Sequence, residues 1–407
     1  MKKLTLALAL LLMAGIPEAQ AANLEIRALF QPDPAQPSKN QFVNQTPNSG
    51  YCVSYPAQCA ESNMFSIEVP VRFTSYRDLP PGHGVALQVP VNWRRLTVTN
   101  RDTGETAQVE VSITGVGSTF HLSKTVQELT GIDNTFQAHD RLWTSNGWVY
   151  AAPPCRNSLV SGVSAKTYRF FWHTPVENTC TKTVALPIPS MWFEKLDFSY
   201  ALKTPDPLGM SSGVYTGSIS YSMGPGGDFH MGHWMQPDDN NLTLDFVLDV
   251  QHTLKVDIPP GGNHIVLEPQ GGWRSWLESG RKPVRLYRDQ VFHISASSRF
   301  SMRLECEHSL GTGSGCAILD RESGFAGGVD VGVSLPNGLN DGAGQAVSRF
   351  PLSRENSPVF QPGFYVDRKP GTLHFEVGKS WTDWLIDNAK GRAYTGKITV
   401  IWDSETG

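Results

Sequence analysis

The sequence predicts an exported, all-β protein made of two β-sandwich regions, and three observations carry that expectation. Apolar and polar residues alternate at period two in run after run, which sets one row of side chains toward a core and the other toward water. Thirty-eight glycines and 28 prolines in 407 residues cut these runs short with turns. Six cysteines follow a leader-like N-terminus, the usage of a chain that folds in an oxidising compartment.

From the N-terminus, residues 1–21 read as a secretory signal peptide: Lys2 and Lys3 give a basic start, Leu4 to Ile16 an apolar stretch, and Ala19-Gln20-Ala21 a small-residue cleavage site. The apolar stretch is shorter than the roughly 20 residues that span a bilayer, and no later run exceeds it. Cleavage would leave about 386 residues with 32 basic and 37 acidic side chains once Lys2, Lys3 and Glu18 are gone. A weakly acidic chain argues against nucleic acid as a partner and against a polybasic membrane contact. Its length suits two domains, each with its own core.

The first region, 22–236, carries the alternating run Phe65, Ile67, Val69, Val71, Phe73, with Ser66, Glu68 and Arg72 between. The pattern returns at Leu87, Val89, Val91, Trp93, at Val109, Val111, Ile113, and at Tyr168, Phe170, Trp172. Short helices are expected only at Lys124 to Leu129 and Trp381 to Lys390. A polar, Gly- and Asp-rich break spans Gly224 to Asn241, which places a linker at 237–240 and opens the second region, 241–407, on Leu242, Leu244, Phe246, Leu248, Val250, Leu254, Val256 and Ile258. The segments Val214-Tyr-Thr-Gly-Ser-Ile-Ser-Tyr221 and Ala393-Tyr-Thr-Gly-Lys-Ile-Thr-Val400 share a pattern, so each region is expected to close on an equivalent strand.

The cysteines fall into sequential couples, Cys52 with Cys59, Cys155 with Cys180 and Cys306 with Cys316, one of 15 possible connectivities and the one proximity favours. No CxxC spacing occurs, which speaks against redox catalysis and a structural zinc site.

At the C-terminus, Tyr394-Thr-Gly396 leads into Ile398, Val400 and Trp402 alternating with Lys397, Thr399, Ile401 and Asp403. This segment resembles the terminal strand of chaperone-usher fimbrial subunits. Phe198 to Gly232, with Pro205-Asp-Pro-Leu208 and Met223-Gly-Pro-Gly-Gly-Asp-Phe229, is similar to the closing segment of the N-terminal domain in two-domain fimbrial tip adhesins. The resemblance covers most of the chain. It implies an immunoglobulin-like or jelly-roll, lectin-like domain followed by an incomplete immunoglobulin-like pilin domain that lacks a strand. Tyr394, Gly396, Ile398, Val400 and Trp402 would then border the groove filled first by a periplasmic chaperone and later by the adjacent fimbrial subunit, after passage through an outer-membrane usher. The N-terminal domain would bind a host or matrix receptor, a carbohydrate, at the fimbrial tip on the cell surface. The chain departs from the pattern in its tail, Asp403-Ser-Glu-Thr-Gly407, which lacks a penultimate aromatic, and in Cys306 and Cys316, which sit mid-domain as a hairpin staple.

For ligand contact, the richest stretch is Asp140 to Tyr150. Sugars pair apolar C–H faces with hydroxyl rings, so Trp143, Trp148 and Tyr150 could form a platform and Asp140, Arg141 and Asn146 the polar contacts, with Asn146-Gly147 as a hairpin tip. The competing reading makes these aromatics core. A second candidate is the Tyr51 to Tyr55 loop, which a Cys52–Cys59 bond would hold rigid. No metal and no cofactor are expected: His230-Met-Gly-His233 has no carboxylate between its histidines, and no zinc-hydrolase motif, nucleophile elbow or phosphate loop occurs. Binding rather than turnover is therefore expected. The alternatives are an adaptor subunit without a receptor site, and an exported carbohydrate-active enzyme using acids such as Asp133 and Asp140.

Overall fold

The computed structural model describes residues 22–404, apart from 63, 311–314 and 389–390. The signal peptide expected at 1–21 lies outside the described residues, as do 405–407 of the tail. Strands dominate, and the described residues form two large hydrophobic cores and two smaller clusters.

The first unit is built on a twelve-stranded sheet that curls around its own core, with a separate two-stranded sheet, Gly84–Leu87 against Cys180–Thr183, packed on the same core. Its main strands are β1 (Ala22–Phe30), β2 (Phe65–Val69), β3 (Phe73–Ser75), β4 (Arg94–Asn100), β5 (Thr106–Leu122), β6 (Thr167–His173), β7 (Met191–Lys203), β8 (Gly213–Ser222) and β9 (Asn241–Val250). They pair in the order β3-β7-β5-β4-β8-β9-β1, with β2 also on β7 and β6 also on β5. The 17-residue β5 explains the curl. Its first half pairs with β4 and its second half with β6, so the sheet must bend where the partner changes. The alternating residues Ile67, Val69, Val71 and Phe73 all face the core, as do Val109, Val111, Ile113, Tyr168, Phe170 and Trp172.

One boundary differs from the sequence reading. The strand expected to open the second region is β9, and it belongs to the first unit. It pairs in parallel with β1 from Ala22↔Leu242 to Phe30↔Val250 and antiparallel with β8. Leu242, Leu244, Phe246, Leu248 and Val250 are buried in the first core. The first unit therefore closes on β9 and not on β8, and the units are joined by Gln251, His252 and Thr253 rather than by 237–240. Periodicity gave the buried face of this strand correctly; it carries no information about which core that face meets.

Four helices were not anticipated: α1 (Tyr51–Ser54), α2 (Pro56–Glu61), α4 (Thr135–Arg141) and α5 (Arg274–Ser279). The two expected ones appear as α3 (Val126–Thr130), opened by a Thr125/Glu128 capping box, and α6 (Lys379–Asn388). The disulfides join Cys52 to Cys59, Cys155 to Cys180 and Cys306 to Cys316.

The second unit packs two sheets face to face. One runs β10 (Leu254–Asp257), β11 (Leu286–Ala296), then β15 (Val366–Val377) and β13 (Ala326–Ser334), continuing to Cys316–Leu319. The other runs from Leu339–Asp341 through β14 (Val359–Pro362) and β12 (Phe300–Cys306) to β16 (Ile398–Ser404). Phe292, Ile294, Phe300, Met302, Val333 and Phe360 fill the space between them.

Candidate functional site

Residues 140–150 start in the last turn of helix α4, whose own start is fixed by Asn134, its side-chain oxygen accepting from the Gln137 N–H at 3.0 Å. The two tryptophans expected to form a platform are interior. Trp148 is fully buried, stacked on Trp172 at 5.0 Å between centroids and edge-on to Phe120 at 5.4 Å and Trp143 at 5.2 Å; Trp143 is only 3% exposed. Two large apolar rings beside a sheet gain more from the core than from water, so they cannot meet a ligand. Nor is Asn146-Gly147 a hairpin tip. Asn146 has φ 62°, the Gly147 N–H donates to Asp140 Oδ1 at 2.7 Å, and the segment wraps the ammonium of Lys182. Arg141, Asn146 and Tyr150 remain exposed and Asp140 half-buried, a polar rim without its aromatic floor.

The Lys182 cradle was not visible in the sequence. This lysine is 1% exposed, and its Nζ donates to the carbonyls of Ser145 (3.0 Å), Asn146 (3.2 Å) and Gly147 (3.1 Å) and to Ser145 Oγ (3.3 Å). Burial pushes its pKa down to about 8, with Asp140 opposing. The histidines at 230 and 233 face each other edge to face at 5.1 Å, and His230 Nδ1 accepts from the Gly226 N–H. Among the described residues no three His, Cys, Asp or Glu side chains gather as a metal site would require.

The other predicted residues come together at the end of the chain. Tyr394 to Gly396 runs against Cys316–Leu319, with Thr395 and Leu319 exchanging both backbone hydrogen bonds at 3.0 and 2.8 Å. Gly396 is needed at this close approach, because a Cβ there would lie 2.9 Å from the Ala317 carbonyl oxygen. The chain then crosses to the other sheet and pairs with β12 from Cys306↔Ile398 to Phe300↔Ser404. Ile398, Val400 and Trp402 point into the second core, and Trp402 meets Phe292 at 4.8 Å and Phe300 at 5.9 Å.

These three side chains stay half-buried, unlike the fully buried rows of β9. The cause lies in the sheet order. β16 ends its sheet and β10 ends the facing one, each paired on one side only among the described residues. Trp402 on β16 touches Phe292 on β11, the neighbour of β10, so both edges open on the same side of the sandwich. Leu254 and Val256 of β10 are half-buried against the same core and supply the opposite rim, which sequence reasoning had absorbed into one long run with β9. The second core is thus open along one side, between two strands whose outer N–H and C=O groups lack a strand partner. That geometry can accept an added strand.

A chain with one closed all-β unit and one open-sided sandwich is the class of protein defined here. No family model matches the chain, and no curated protein does. Among solved structures, it is similar to the adhesive subunit CfaE of CFA/I fimbria of enterotoxigenic Escherichia coli, with 10% identity over 95% of this chain and 94% of that one and a TM-score of 0.25. It is also similar to a chain of the CsuC–CsuE chaperone–tip adhesion subunit pre-assembly complex of Acinetobacter baumannii Csu pili (10% identity, 94% and 98% coverage, TM-score 0.21). A third is the CupB6 tip adhesin of Pseudomonas aeruginosa (13% identity, 79% and 94% coverage, TM-score 0.26).

Proposed function

We propose that the protein is the two-domain tip adhesin of a chaperone-usher fimbria, binding a receptor through its first unit and joining the fibre through its second. The observation that carries this reading is the open side of the second core, bordered by Leu254, Val256, Ile398, Val400 and Trp402 on two single-sided strands. A guest strand alternating apolar and polar residues would close it, each of its inward side chains contributing about 1.5–3 kcal/mol on burial. A periplasmic chaperone would supply that strand first. An outer-membrane usher would then oversee its replacement by the N-terminal extension of the adjacent subunit.

The first unit supports the tip position. Its N-terminal strand β1 is an interior strand, paired with β9 along nine residues and with Val43–Asn44 on its other side, and so is not free to serve as a donor arm. A tip subunit would receive a guest strand in this opening and hold its receptor with the first unit. The cell surface is then its destination, and its work is binding rather than turnover.

The test compares thermal unfolding of the chain with that of a version extended beyond residue 407 by a flexible turn and one alternating valine–threonine strand. Closing the groove by about 5 kcal/mol should raise the melting temperature of the second unit by more than about 10 °C. An unchanged melt would remove the fibre reading.

A further inference from the structure

The outer face of the first sheet, turned away from the core, carries a second layer. On it lie Glu68 of β2, Asp197 of β7, Gly117 of β5 and Phe171 of β6, register neighbours across four strands. Gly117 leaves the face bare, since a Cβ there would lie 2.5 Å from the Phe170 carbonyl oxygen and 2.6 Å from the Phe171 ring. Into this space fit α1 and α2, with Tyr51 stacked on Phe171 at 4.0 Å and the loop clamped by Cys52–Cys59. Gly50, at φ 65°, passes so close to Asp197 that a Cβ would overlap its carboxylate.

Where this layer ends, a shallow cavity of about 620 Å³ remains between the loop and the sheet. Asn48, Ser49, Ser54 and Tyr55 form a mostly polar lip to which Val53 adds one apolar side chain; Glu68, Thr119 and Arg169 form its floor. The lip is fixed to the floor. The Glu68 N–H donates to Ser49 Oγ at 2.7 Å, the Ser66 N–H to Asn48 Oδ1 at 3.1 Å, and Ser66 Oγ to the Ser49 carbonyl at 2.6 Å. A site already held this way loses little freedom when it binds.

The charges of the floor cancel. Arg169 is ion-paired with Asp197, which lies almost wholly buried beneath it, and Lys195 Nζ meets Glu68 Oε1 at 2.7 Å. Two cations each engaged by a carboxylate leave no surplus positive charge for an anion, and Glu68 would repel one. An apolar ligand would strand the polar lip. What remains is a guest rich in both donors and acceptors, with one apolar face for Tyr55.

We propose that this cavity binds a neutral saccharide, with Glu68, Asn48 and Arg169 meeting its hydroxyls and Tyr55 its C–H face. The assignment deepens the adhesin reading and rests on it for its biological role. The same face continues past Thr119 to His121, two residues along β5, where the imidazole stacks on Trp192 at 5.2 Å and Trp192 Nε1 donates to Glu194 Oε2 at 3.0 Å. At about 3.4 Å per residue the step is about 7 Å, enough to reach a second sugar ring.

The test applies a panel of neutral hexose- and N-acetylhexosamine-terminated oligosaccharides, beside sialylated and sulfated ones, to the full chain and to Glu68→Gln and Tyr55→Ala. Neutral glycans should bind, and both substitutions should weaken binding at least tenfold while the melting temperature of the first unit holds. The inference is overturned if no neutral glycan binds, if only sialylated or sulfated glycans do, or if Tyr150→Ala abolishes binding while the two cavity variants bind normally. The strand-extension melt on the same preparation separates the failures: a stabilised chain that binds no neutral glycan loses the saccharide site and keeps the fibre reading.

Discussion

Replacing Lys182 with methionine should change how stability depends on pH, and the size of the change follows from the cradle. Burial lowers the lysine from 10.5 to about 8, and at about 1.4 kcal/mol for each pH unit the charged form costs the folded state about 3 kcal/mol. The sign follows from proton binding. Below pH 8 both folded and unfolded chains hold the proton and the cost is fully present. Between pH 8 and 10.5 only the unfolded chain keeps it, so the folded state gains stability as pH rises through that window. Lys182→Met removes the gain. At pH 7 the variant escapes the charge burial of about 3 kcal/mol but orphans the Gly147 carbonyl, the one fully buried partner, at about 1–3 kcal/mol; the exposed Ser145 and Asn146 can turn to water. The variant should therefore lie within about 2 kcal/mol of wild type at neutral pH, although four hydrogen bonds vanish. Urea unfolding of both proteins at pH 7.5, 9 and 10.5, followed by tryptophan fluorescence, measures the difference, in which shared titrations such as Tyr221, pushed up to about 12, cancel. A wild-type-minus-variant stability that stays flat across that range would refute the reasoning.

Two further outcomes follow from packing. Trp148→Ala should destabilise the first unit by about 3–5 kcal/mol, as a ring enclosed by Trp172, Phe170 and Phe120 leaves a cavity, whereas Tyr150→Ala, 46% exposed, should change it by less than about 0.5 kcal/mol in the same denaturation assay. His252→Ala should separate the unfolding of the two units into distinct calorimetric transitions, because its Nε2–H donates to the Met210 carbonyl at 2.9 Å in the first unit while its Nδ1 meets Ser297 Oγ at 3.1 Å in the second; a wild-type profile in the variant would assign the coupling elsewhere.

Much of the strand architecture was legible because period two is a direct image of the pleat. Phe65 to Phe73, Val109 to Ile113 and Tyr168 to Trp172 each present the expected row to the core. What failed was any inference that needed the partner of a face. Leu242 to Val250 and Leu254 to Ile258 share one phase, yet the first set completes one core, Leu254 and Val256 border the opening of another, and Ile258 lies exposed beyond the strand. Trp143 and Trp148 stand among Asp140, Arg141 and Asn146 in sequence, and only the third dimension separates their buried rings from that polar rim. Helices of four to seven residues are too short to show a period of 3.6, although Asn134 ahead of α4 was a readable cap. Lys182, in Thr181-Lys-Thr183, looks like any surface lysine, because its cradle comes from carbonyl groups that every residue possesses.

The short connection between the units gives the proposed fibre a mechanical consequence. A guest strand seated between β10 and β16 would deliver load to β10, and only Gln251, His252 and Thr253 separate β10 from β9. β9 is held on both sides, by nine residue pairs to β1 and ten to β8, so a pull along it loads those hydrogen bonds together rather than one after another. The His252 bonds to Met210 and Ser297 lie at the point where that pull enters. The unit that would hold the receptor is closed and gripped by an interior strand, while the one that would hold the fibre is open and relies on another chain for closure. The joint between them is short enough that tension on the second would reach the first with little slack.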